Sequence, residues 1–341
     1  MLTIYSDRHR LHHGNAELID GTLMPCFEMP RRADMVLARV REVGLGNIVE
    51  PESFGLDPIL RVHDAAFVDF LATAWQEWLA EGRSHDALPL VWPVRSLRGD
   101  RVPDSIDGKL GYYSMDAGVP VTAGTWQAVR AGADVALTGA HALTQGAASV
   151  FALCRPPGHH AASAAMGGYC YLNNAAIAAQ YLVDHGSARV AILDVDYHHG
   201  NGTQEIFYAR GDVLFVSLHA DPRVEYPYFL GYADELGQGQ GRGLTRNFPL
   251  PHGTTWDAYG RALADACDTV RAFRPDALVV SLGVDTYEHD PISRFRLRTD
   301  DFTRIGEHIA AVRRPTLFVM EGGYAVDDIG VNAVNVLAGF A

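Results

Sequence analysis

Short apolar runs alternate along the chain with longer segments that carry apolar residues at helical spacing. Each run is rich in Val, Leu, Ile or Phe, which is typical of buried strands. The runs are Ser149–Leu153, Ala188–Leu193, Val213–Leu218, Ala277–Leu282 and Thr316–Met320. The segments between and around them predict helices over Trp126–Leu143, Asn174–His185, Trp256–Phe273 and Asp301–Arg313. Alternating strands and helices predict an α/β fold, with a parallel β-sheet flanked by helices on both faces.

Polar residues gather at one end of all five predicted strands. In open α/β sheets, ligands bind beyond the carboxyl ends of the strands. The segments found there are Arg155–His160, Asp194–Gly200, Ser217–His219, Gly283–Asp285 and Glu321–Tyr324. The sequence therefore predicts a single site assembled from five strand ends.

The segment Gly82–Thr122 interrupts the alternation of strands and helices. It contains four prolines and few helical signals. A long irregular segment inside a compact domain is usually functional or mobile. Since the chain shows no linker, internal repeat or low-complexity tract, we predict one domain over residues 1–341 with an inserted loop at about 82–122.

The charge balance narrows the range of partners. The chain has 41 acidic and 28 basic residues, so the formal net charge is −13. Such a surface repels nucleic acid and anionic lipid and attracts cationic partners, although an acidic excess can also serve solubility alone. The four cysteines fit neither a disulfide framework nor a Cys-x-x-Cys zinc site. No signal peptide or membrane-spanning run is evident, and we expect a cytoplasmic protein.

Asp196 and His198 are candidate metal ligands. As alternate residues at the end of a predicted strand, they would point to the same side. Asp285, at the end of another strand, could supply a third ligand. Three protein ligands leave one position for water, which is typical of a catalytic zinc site. The alternative is that Asp196 caps a turn and His198 is a buried structural histidine.

Several blocks, in the same order along the chain, resemble the histone deacetylase family. They are Arg155–His160, Gly167–Asn174, Asp194–Gly202, Gly283–Asp285 with Asp290-Pro291, and Glu321–Tyr324. The resemblance covers nearly the whole chain and implies an arginase–deacetylase fold. It implies one Zn²⁺ held by residues matching Asp196, His198 and Asp285. It also implies a structural K⁺, bound partly by main-chain oxygens of residues matching Asp194, Asp196, His198, Ser217 and Leu218.

The same resemblance pairs His159 with Asp194 and His160 with Asn201. A carboxylate raises the pKa of its histidine partner, whereas an amide adds no charge. We therefore predict that His160 is the general base and later the general acid. His159 is predicted to be an orienting and electrostatic group. Many family members carry Asp at the position of Asn201, which leaves the pH profile open.

Tyr324 is the remaining candidate catalytic residue. It follows two glycines at the end of a predicted strand, and these would let the backbone turn tightly. Its hydroxyl could then donate to the oxyanion that develops when an amide is attacked. The resemblance favours this role over simple packing.

The segment Gly82–Thr122, with Trp92–Arg95 and Gly111–Tyr113, resembles the insertion of acetylpolyamine amidohydrolases within that family. This resemblance implies a homodimer whose insertion narrows the mouth of the substrate tunnel and excludes proteins. It predicts hydrolysis of small cationic acetylated amines such as acetylputrescine, acetylcadaverine or acetylspermidine. Which amine is preferred, and whether Zn²⁺ or Fe²⁺ is loaded in the cell, the sequence leaves open.

Acidic and aromatic residues are predicted to recognise such a substrate. Glu17, Asp107 and Asp116 are the candidate carboxylates for its ammonium groups. Gly118 stands where the resemblance implies another acid, and Asp116, two residues earlier, is a possible replacement. Tyr169 and Tyr226 match tunnel-wall aromatics, which would flank an aliphatic chain and could hold a cation.

Three alternative functions are compatible with parts of this pattern. A protein lysine deacetylase would share the catalytic residues, but the long insertion argues against it. A dimanganese ureohydrolase needs a carboxylate two residues after the histidine of its Asp-x-His motif, where this chain has Gly200. A non-enzymatic binder of acetylated ligands is disfavoured, since the metal, base and tyrosine positions are all filled.

Overall fold

A central parallel sheet organises the structure, a computed structural model that describes residues 1–19 and 21–341. The strands are β1 Leu2–Ile4, β2 Glu17–Ile19, β3 Thr22–Met24, β4 Ile48–Val49, β5 Ser149–Ala152, β6 Val190–Asp194, β7 Val213–Ala220, β8 Thr245–Leu250, β9 Ala277–Leu282 and β10 Thr316–Met320. Within the described residues, eight of them form one sheet in the order β4-β1-β5-β10-β9-β6-β7-β8, and β2 pairs with β3 in a small antiparallel sheet.

Helices cover both faces of the large sheet, as predicted. They are α1 Arg31–Val43, α2 Asp57–Leu60, α3 Ala65–Ala80, α4 Ile106–Tyr112, α5 Thr125–Thr144, α6 Asn174–Asp184, α7 Asn201–Phe207, α8 Trp256–Phe273, α9 Thr299–Ala310 and α10 Ile329–Phe340. Side chains of α3, α5 and α6 share one core with one face of the sheet, and those of α1, α8, α9 and α10 share another with the opposite face. In the described part of the chain, no helix is long and apolar enough to cross a membrane.

The five predicted strands all form, and they are neighbours in the middle of the sheet. Successive residues of a strand enter opposite cores: Val190 and Ile192 pack on one face, Ala191 and Leu193 on the other. Because both faces are buried, these strands are apolar throughout, which is why their runs stand out in the sequence. The strands of this large sheet that the pattern does not reveal are β1, β4 and β8, which lie towards its edges. They are short or, in β8, interrupted by Arg246 and Pro249.

The structure corrects three local predictions. First, β6 ends at Asp194, so Asp196 and His198 lie in the turn beyond the strand and strand alternation does not bring them together. Second, β7 continues to Ala220, so His219 lies within a strand. Third, the segment Gly82–Thr122 is not wholly irregular, since α4 forms within it.

Local capping places α6 against the predicted site. Asn173 precedes the helix, and its Oδ1 accepts from the Ala176 amide at 2.9 Å, which satisfies one of the free donors of the first turn. The Nδ2 of the same side chain donates to the Ala161 carbonyl at 3.0 Å. The helix start is thereby tied to the segment that follows His160.

Candidate active site

A cavity of about 660 Å³ lies beyond the carboxyl ends of the central strands. His160, His198 and Tyr324 line it together with Tyr169 and Tyr226. The remaining wall contains Glu17, Leu18, Ile19, Asp116, Ala117, Gly118, Gly168, Val224, Glu225, Tyr228, His252, Pro291, Ile292 and Arg294. Of the predicted catalytic and tunnel-wall residues, His160, Tyr324, Tyr169 and Tyr226 thus meet in one cavity, whereas His159 does not line it.

Asp196, His198 and Asp285 form a buried cluster in which potential ligand atoms all lie within 4.8 Å of one another. The turn after β6 supplies the first two: the His198 amide donates to Asp196 Oδ1 at 2.9 Å, which folds the chain back on itself. The Tyr197 amide donates to Asp285 Oδ1 at 2.8 Å and joins that turn to the loop after β9. Backbone hydrogen bonds therefore position the three side chains.

The two carboxylates of this cluster favour the binding of a cation. His198 Nδ1 lies 3.0 Å from Asp285 Oδ2 and 3.4 Å from Asp196 Oδ1. Burial opposes protonation, yet the two carboxylates raise the pKa of His198 to about 10. Burial and the charge of Asp196 raise the pKa of Asp285 to about 7. A divalent ion fits here: two carboxylates and an imidazole are a ligand set that zinc accepts, and the cavity adjoins His198.

The two adjacent histidines have different partners. His159 Nδ1 lies 2.9 Å from Asp194 Oδ2, and His160 Nδ1 lies 2.7 Å from Asn201 Oδ1. Burial opposes protonation of His159, but Asp196 and Asp194 outweigh it and raise the pKa well above its usual range. Burial and the neighbouring His159 lower the pKa of His160 well below its usual range. The surroundings thus favour the charged form of His159 and the neutral form of His160.

Tyr324 is held at the cavity by its backbone. Its amide donates to Asp290 Oδ2 at 2.6 Å, and Gly323 before it has φ 127°, a conformation that favours glycine. The Arg32 guanidinium lies 4.6 Å from the centre of the Tyr324 ring. Burial raises the pKa of the phenol well above its usual range, so the hydroxyl keeps its proton and remains a hydrogen-bond donor.

Asp116 braces the cavity wall. Its carboxylate accepts from the Gly118 amide at 2.7 Å, the Gly168 amide at 2.9 Å and the Tyr226 hydroxyl at 2.6 Å. Gly168 is packed so closely against the His160 ring that no side chain fits there. Asp116 thus lines the cavity, as a substrate-binding acid would, while its oxygens hold the Tyr226 side chain and the Gly168 loop.

The other two predicted acids lie in different surroundings. Glu17, in β2, is 2% exposed, lines the cavity and accepts from the Phe27 amide at 2.6 Å. Asp107, in α4, has a side chain that is 55% exposed and forms a bidentate ion pair with Arg83 at 2.6 and 2.8 Å. Within this chain the structure brings Glu17 to the cavity and leaves Asp107 outside it.

The residues predicted to bind potassium are neighbours in the structure. Asp194 and Ser217 are register partners on adjacent strands β6 and β7, and Leu218 follows in β7. Asp194 Oδ1 accepts from the Asp196 amide at 3.1 Å, next to the metal cluster. The Ser217 hydroxyl lies 2.8 Å from His219 Nδ1.

The histone deacetylase domain matches residues 26–340. The chain belongs to the histone deacetylase family. Two proteins of Pseudomonas aeruginosa named acetylpolyamine amidohydrolase 2 and 1 are 64% and 62% identical to it, covering 100% of this chain and 98% and 99% of their own lengths. The acetylpolyamine amidohydrolase of Mycoplana ramosa is 49% identical, with 100% of both chains covered.

A solved structure confirms the predicted arginase–deacetylase fold. The acetylpolyamine aminohydrolase of Burkholderia pseudomallei superposes with a TM-score of 0.94 at 43% identity, over 100% of this chain and 98% of that one. The prediction of a deacetylase enzyme is confirmed at the level of the family. This histone deacetylase family is zinc-dependent, and the cluster of Asp196, His198 and Asp285 supplies candidate ligands.

Some residues that line the cavity were not predicted from the sequence. Glu225 and His252 line the wall, and His252 Nε2 lies 3.1 Å from Glu225 Oε2, which also accepts from the Tyr197 hydroxyl at 2.6 Å. Arg294 lines it as well. These residues lie in loops beyond β7, β8 and β9, and a lone charged residue in a loop carries no periodic signal in the sequence. Their position after strand ends is the one clue that could have found them.

Proposed function

We propose that this chain is a zinc-dependent amidohydrolase that removes the acetyl group from small N-acetylated polyamines. One observation carries the proposal: a single cavity joins the metal cluster, His160 and Tyr324 to the buried carboxylate of Glu17. The metal cluster, His160 and Tyr324 perform amide hydrolysis, and the carboxylate of Glu17 favours a cationic substrate. The names of relatives that are 49–64% identical over the whole chain support the same substrate class.

A Zn²⁺ bound at the metal cluster would supply the electrophilic part of the chemistry. Held by Asp196, His198 and Asp285, Zn²⁺ would polarise the acetyl carbonyl and lower the pKa of a water molecule to about 7. A metal ligand must be a neutral imidazole, so binding requires the loss of the proton that the two carboxylates hold on His198. Metal affinity should therefore fall as the pH drops.

The protein's own residues move the protons. Because Asn201 Oδ1 is an acceptor, His160 Nδ1 carries the hydrogen and Nε2 is left free to accept a proton from water. The same atom can then protonate the leaving amine. His159 keeps its positive charge beside Asp194 and stabilises negative charge nearby. Tyr324 donates its hydroxyl hydrogen to the developing oxyanion.

The alternative functions fit the structure less well. A second metal ion as in a ureohydrolase would need a carboxylate at Gly200, where any side chain would collide with the Asp194 carboxylate. A protein lysine deacetylase would need an open mouth. Here β2 and the insertion border the cavity with Glu17, Leu18 and the 116–118 segment.

A kinetic panel tests the substrate class. Acetylputrescine, acetylcadaverine, acetylspermidine and an acetyl-lysine peptide should be compared by their kcat/KM values. We expect at least one acetylated polyamine to exceed the peptide by tenfold or more, which corresponds to about 1.4 kcal/mol of transition-state binding. A peptide that outperforms all three amines would favour the lysine deacetylase instead.

Glu17 is expected to select for positive charge. A charge-assisted hydrogen bond to a substrate ammonium contributes on the order of 1–3 kcal/mol, which is roughly a 5- to 150-fold effect. Glu17→Gln keeps the length of the side chain and should lower kcat/KM for acetylcadaverine or acetylputrescine by that factor. The loss should appear mainly in kcat/KM because the ammonium contact, remote from the reacting carbonyl, persists into the transition state.

A neutral acetamide of similar length is the matched control, and its hydrolysis should be nearly unaffected by Glu17→Gln. Added salt should narrow the difference only slightly, because Glu17 is buried. Asp107→Asn, made in parallel, reports whether the exposed insertion contributes to recognition. Equal losses for neutral and cationic amides would contradict a charge-selecting role for Glu17.

We also propose that the chain is one domain that dimerises through the insertion. The segment 90–102 exposes several apolar side chains, with exposed fractions of 82% for Leu90, 64% for Val91 and 58% for Val94. Several exposed apolar side chains close together in one segment are typical of an interaction surface. A dimer would cover it and could bring the partner's insertion, with its Asp107, towards the cavity mouth. Light scattering on the purified protein measures the oligomeric state.

We also propose a structural K⁺ beside Asp194 and Ser217. A potassium titration of activity tests it.

A further inference from the structure

Glu321 directly follows the strand β10 and is 1% exposed, yet the hydrolytic mechanism assigns it no role. Its Oε2 accepts from the Gly158 amide at 2.6 Å and from the His159 amide at 3.1 Å. Its Oε1 is buried and makes no hydrogen bond to any residue that the structure describes. The side chain therefore reaches from the end of β10 to the backbone of the loop after β5 that carries the two histidines.

Two sets of contacts hold the segment Gly158–His160. On one side, the amides of Gly202 and Thr203 at the start of α7 donate to the His159 carbonyl at 3.1 and 3.2 Å. On the other side, Glu321 Oε2 accepts from the amides of Gly158 and His159. Potential ligand atoms of Glu321, His159 and Cys170 lie within 4.8 Å of one another, and all three residues are buried. Water has no ready access to replace the carboxylate.

The backbone around Glu321 is anchored as firmly as its side chain. Arg32 Nη2 donates to the Glu321 carbonyl, and Arg32 Nε donates to the Gly323 carbonyl, both at 2.6 Å. The Gly322 amide donates to Asp196 Oδ2 at 2.8 Å. A single strand end thus connects the loop of the histidine pair, a metal-cluster carboxylate and the turn that presents Tyr324.

We propose that Glu321 is a positioning residue, whose carboxylate oxygen holds the His159-His160 backbone in register with Tyr324 and the metal cluster. It acts through two accepted hydrogen bonds, and its negative charge is not required. The inference rests on the proposed function only in taking His160 as the group that transfers protons. A catalytic group displaced by about 1 Å can lose roughly 100-fold in rate, so a small shift of this loop has a large effect.

Two substitutions distinguish the effect of the length of the Glu321 side chain from the effect of its charge. Glu321→Gln keeps the side-chain length and an acceptor oxygen for both amides, but it removes the charge. Glu321→Asp keeps the charge but is one methylene shorter, so that it cannot reach the amides without moving the backbone. We expect Glu321→Gln to retain kcat within a few-fold, and Glu321→Asp to lose roughly 10- to 100-fold in kcat with little change in KM.

Each variant is assayed with an acetylated amine that the wild-type protein turns over, and its metal content and Tm are recorded. Leu337→Ala is the control for destabilisation alone, because Leu337 is buried in α10 and lines neither the cavity nor the metal cluster. It should lower Tm and leave kcat unchanged. Crystal structures of the Gln and Asp variants should show the His160 ring in place in the first and displaced in the second.

The opposite ranking, with Asp active and Gln impaired, would assign the role to charge and overturn the proposal. Unchanged kcat in both variants would overturn it as well, and so would a loss in Glu321→Asp that Leu337→Ala reproduces at equal Tm. Failure of the wild-type protein to hydrolyse any acetylated amine would instead count against the proposed function. The comparison of His160 positions in the two crystal structures would still decide the role of Glu321.

Discussion

Asp285→Ala is expected to abolish both metal binding and amide hydrolysis. Asp285 supplies one of two carboxylates to the buried cluster, and its Oδ2 lies 3.0 Å from His198 Nδ1. Its Oδ1 also accepts from the Tyr197 amide, so the substitution disturbs the turn that carries His198. Metal-ion catalysis contributes several kcal/mol of transition-state stabilisation, and its loss should lower kcat/KM by roughly 10³-fold or more. Elemental analysis of the purified variant, together with its kcat/KM, measures both effects.

The control for this variant is Asp265→Ala, which removes an exposed carboxylate from α8. It should retain one divalent ion per chain and full activity. Chelation of the wild-type protein should reproduce the defect of Asp285→Ala, and added Zn²⁺ should restore the wild type but not the variant. Full activity in a rigorously metal-free preparation would refute the metal mechanism.

His160→Ala and Tyr324→Phe are each expected to lower kcat by roughly 10²- to 10⁴-fold, the range for proton transfer and oxyanion stabilisation. Neither side chain belongs to the metal cluster, so the metal content should stay at the wild-type level. Tyr324→Phe removes only the hydroxyl and keeps the ring that packs against Arg32 and Tyr169. Steady-state kinetics on one acetylated amine, with metal analysis, provides the measurement.

His159→Ala distinguishes the two histidines. It should be less damaging to kcat than His160→Ala, since we assign the proton transfers to His160. The reverse ranking would exchange their roles.

The pH profile of the wild-type protein is a second test of His160. Because His160 acts as a base when neutral and its pKa is lowered, activity should persist below the usual histidine pKa of about 6.5. It should fall only as the pH drops through that lowered pKa, provided that the metal content stays constant over the range.

Periodicity identified the middle of the sheet but not its edges. The five buried strands were predicted because both of their faces pack in a core, which makes every position apolar. The edge strands β4 and β8 are short or mixed in composition, and β2 with β3 forms a small separate sheet at the cavity. Since side-chain pattern reflects burial, strands that are only partly covered leave little trace in it.

The sequence by itself determined the chemistry of the site: which strand ends carry Asp196, His198 and Asp285, and which histidine has a carboxylate partner. The first follows from residue type and from the rule that parallel strands present their carboxyl ends together, whereas the partners of the two histidines are what the resemblance to the histone deacetylase family implies. It did not determine how the side chains are held. Asp196 and His198 meet through a turn, Asp116 braces Tyr226, and Glu321 reaches the His159 amide across the sheet. These contacts join residues far apart in sequence, and only the packing of the tertiary structure decides which of them form.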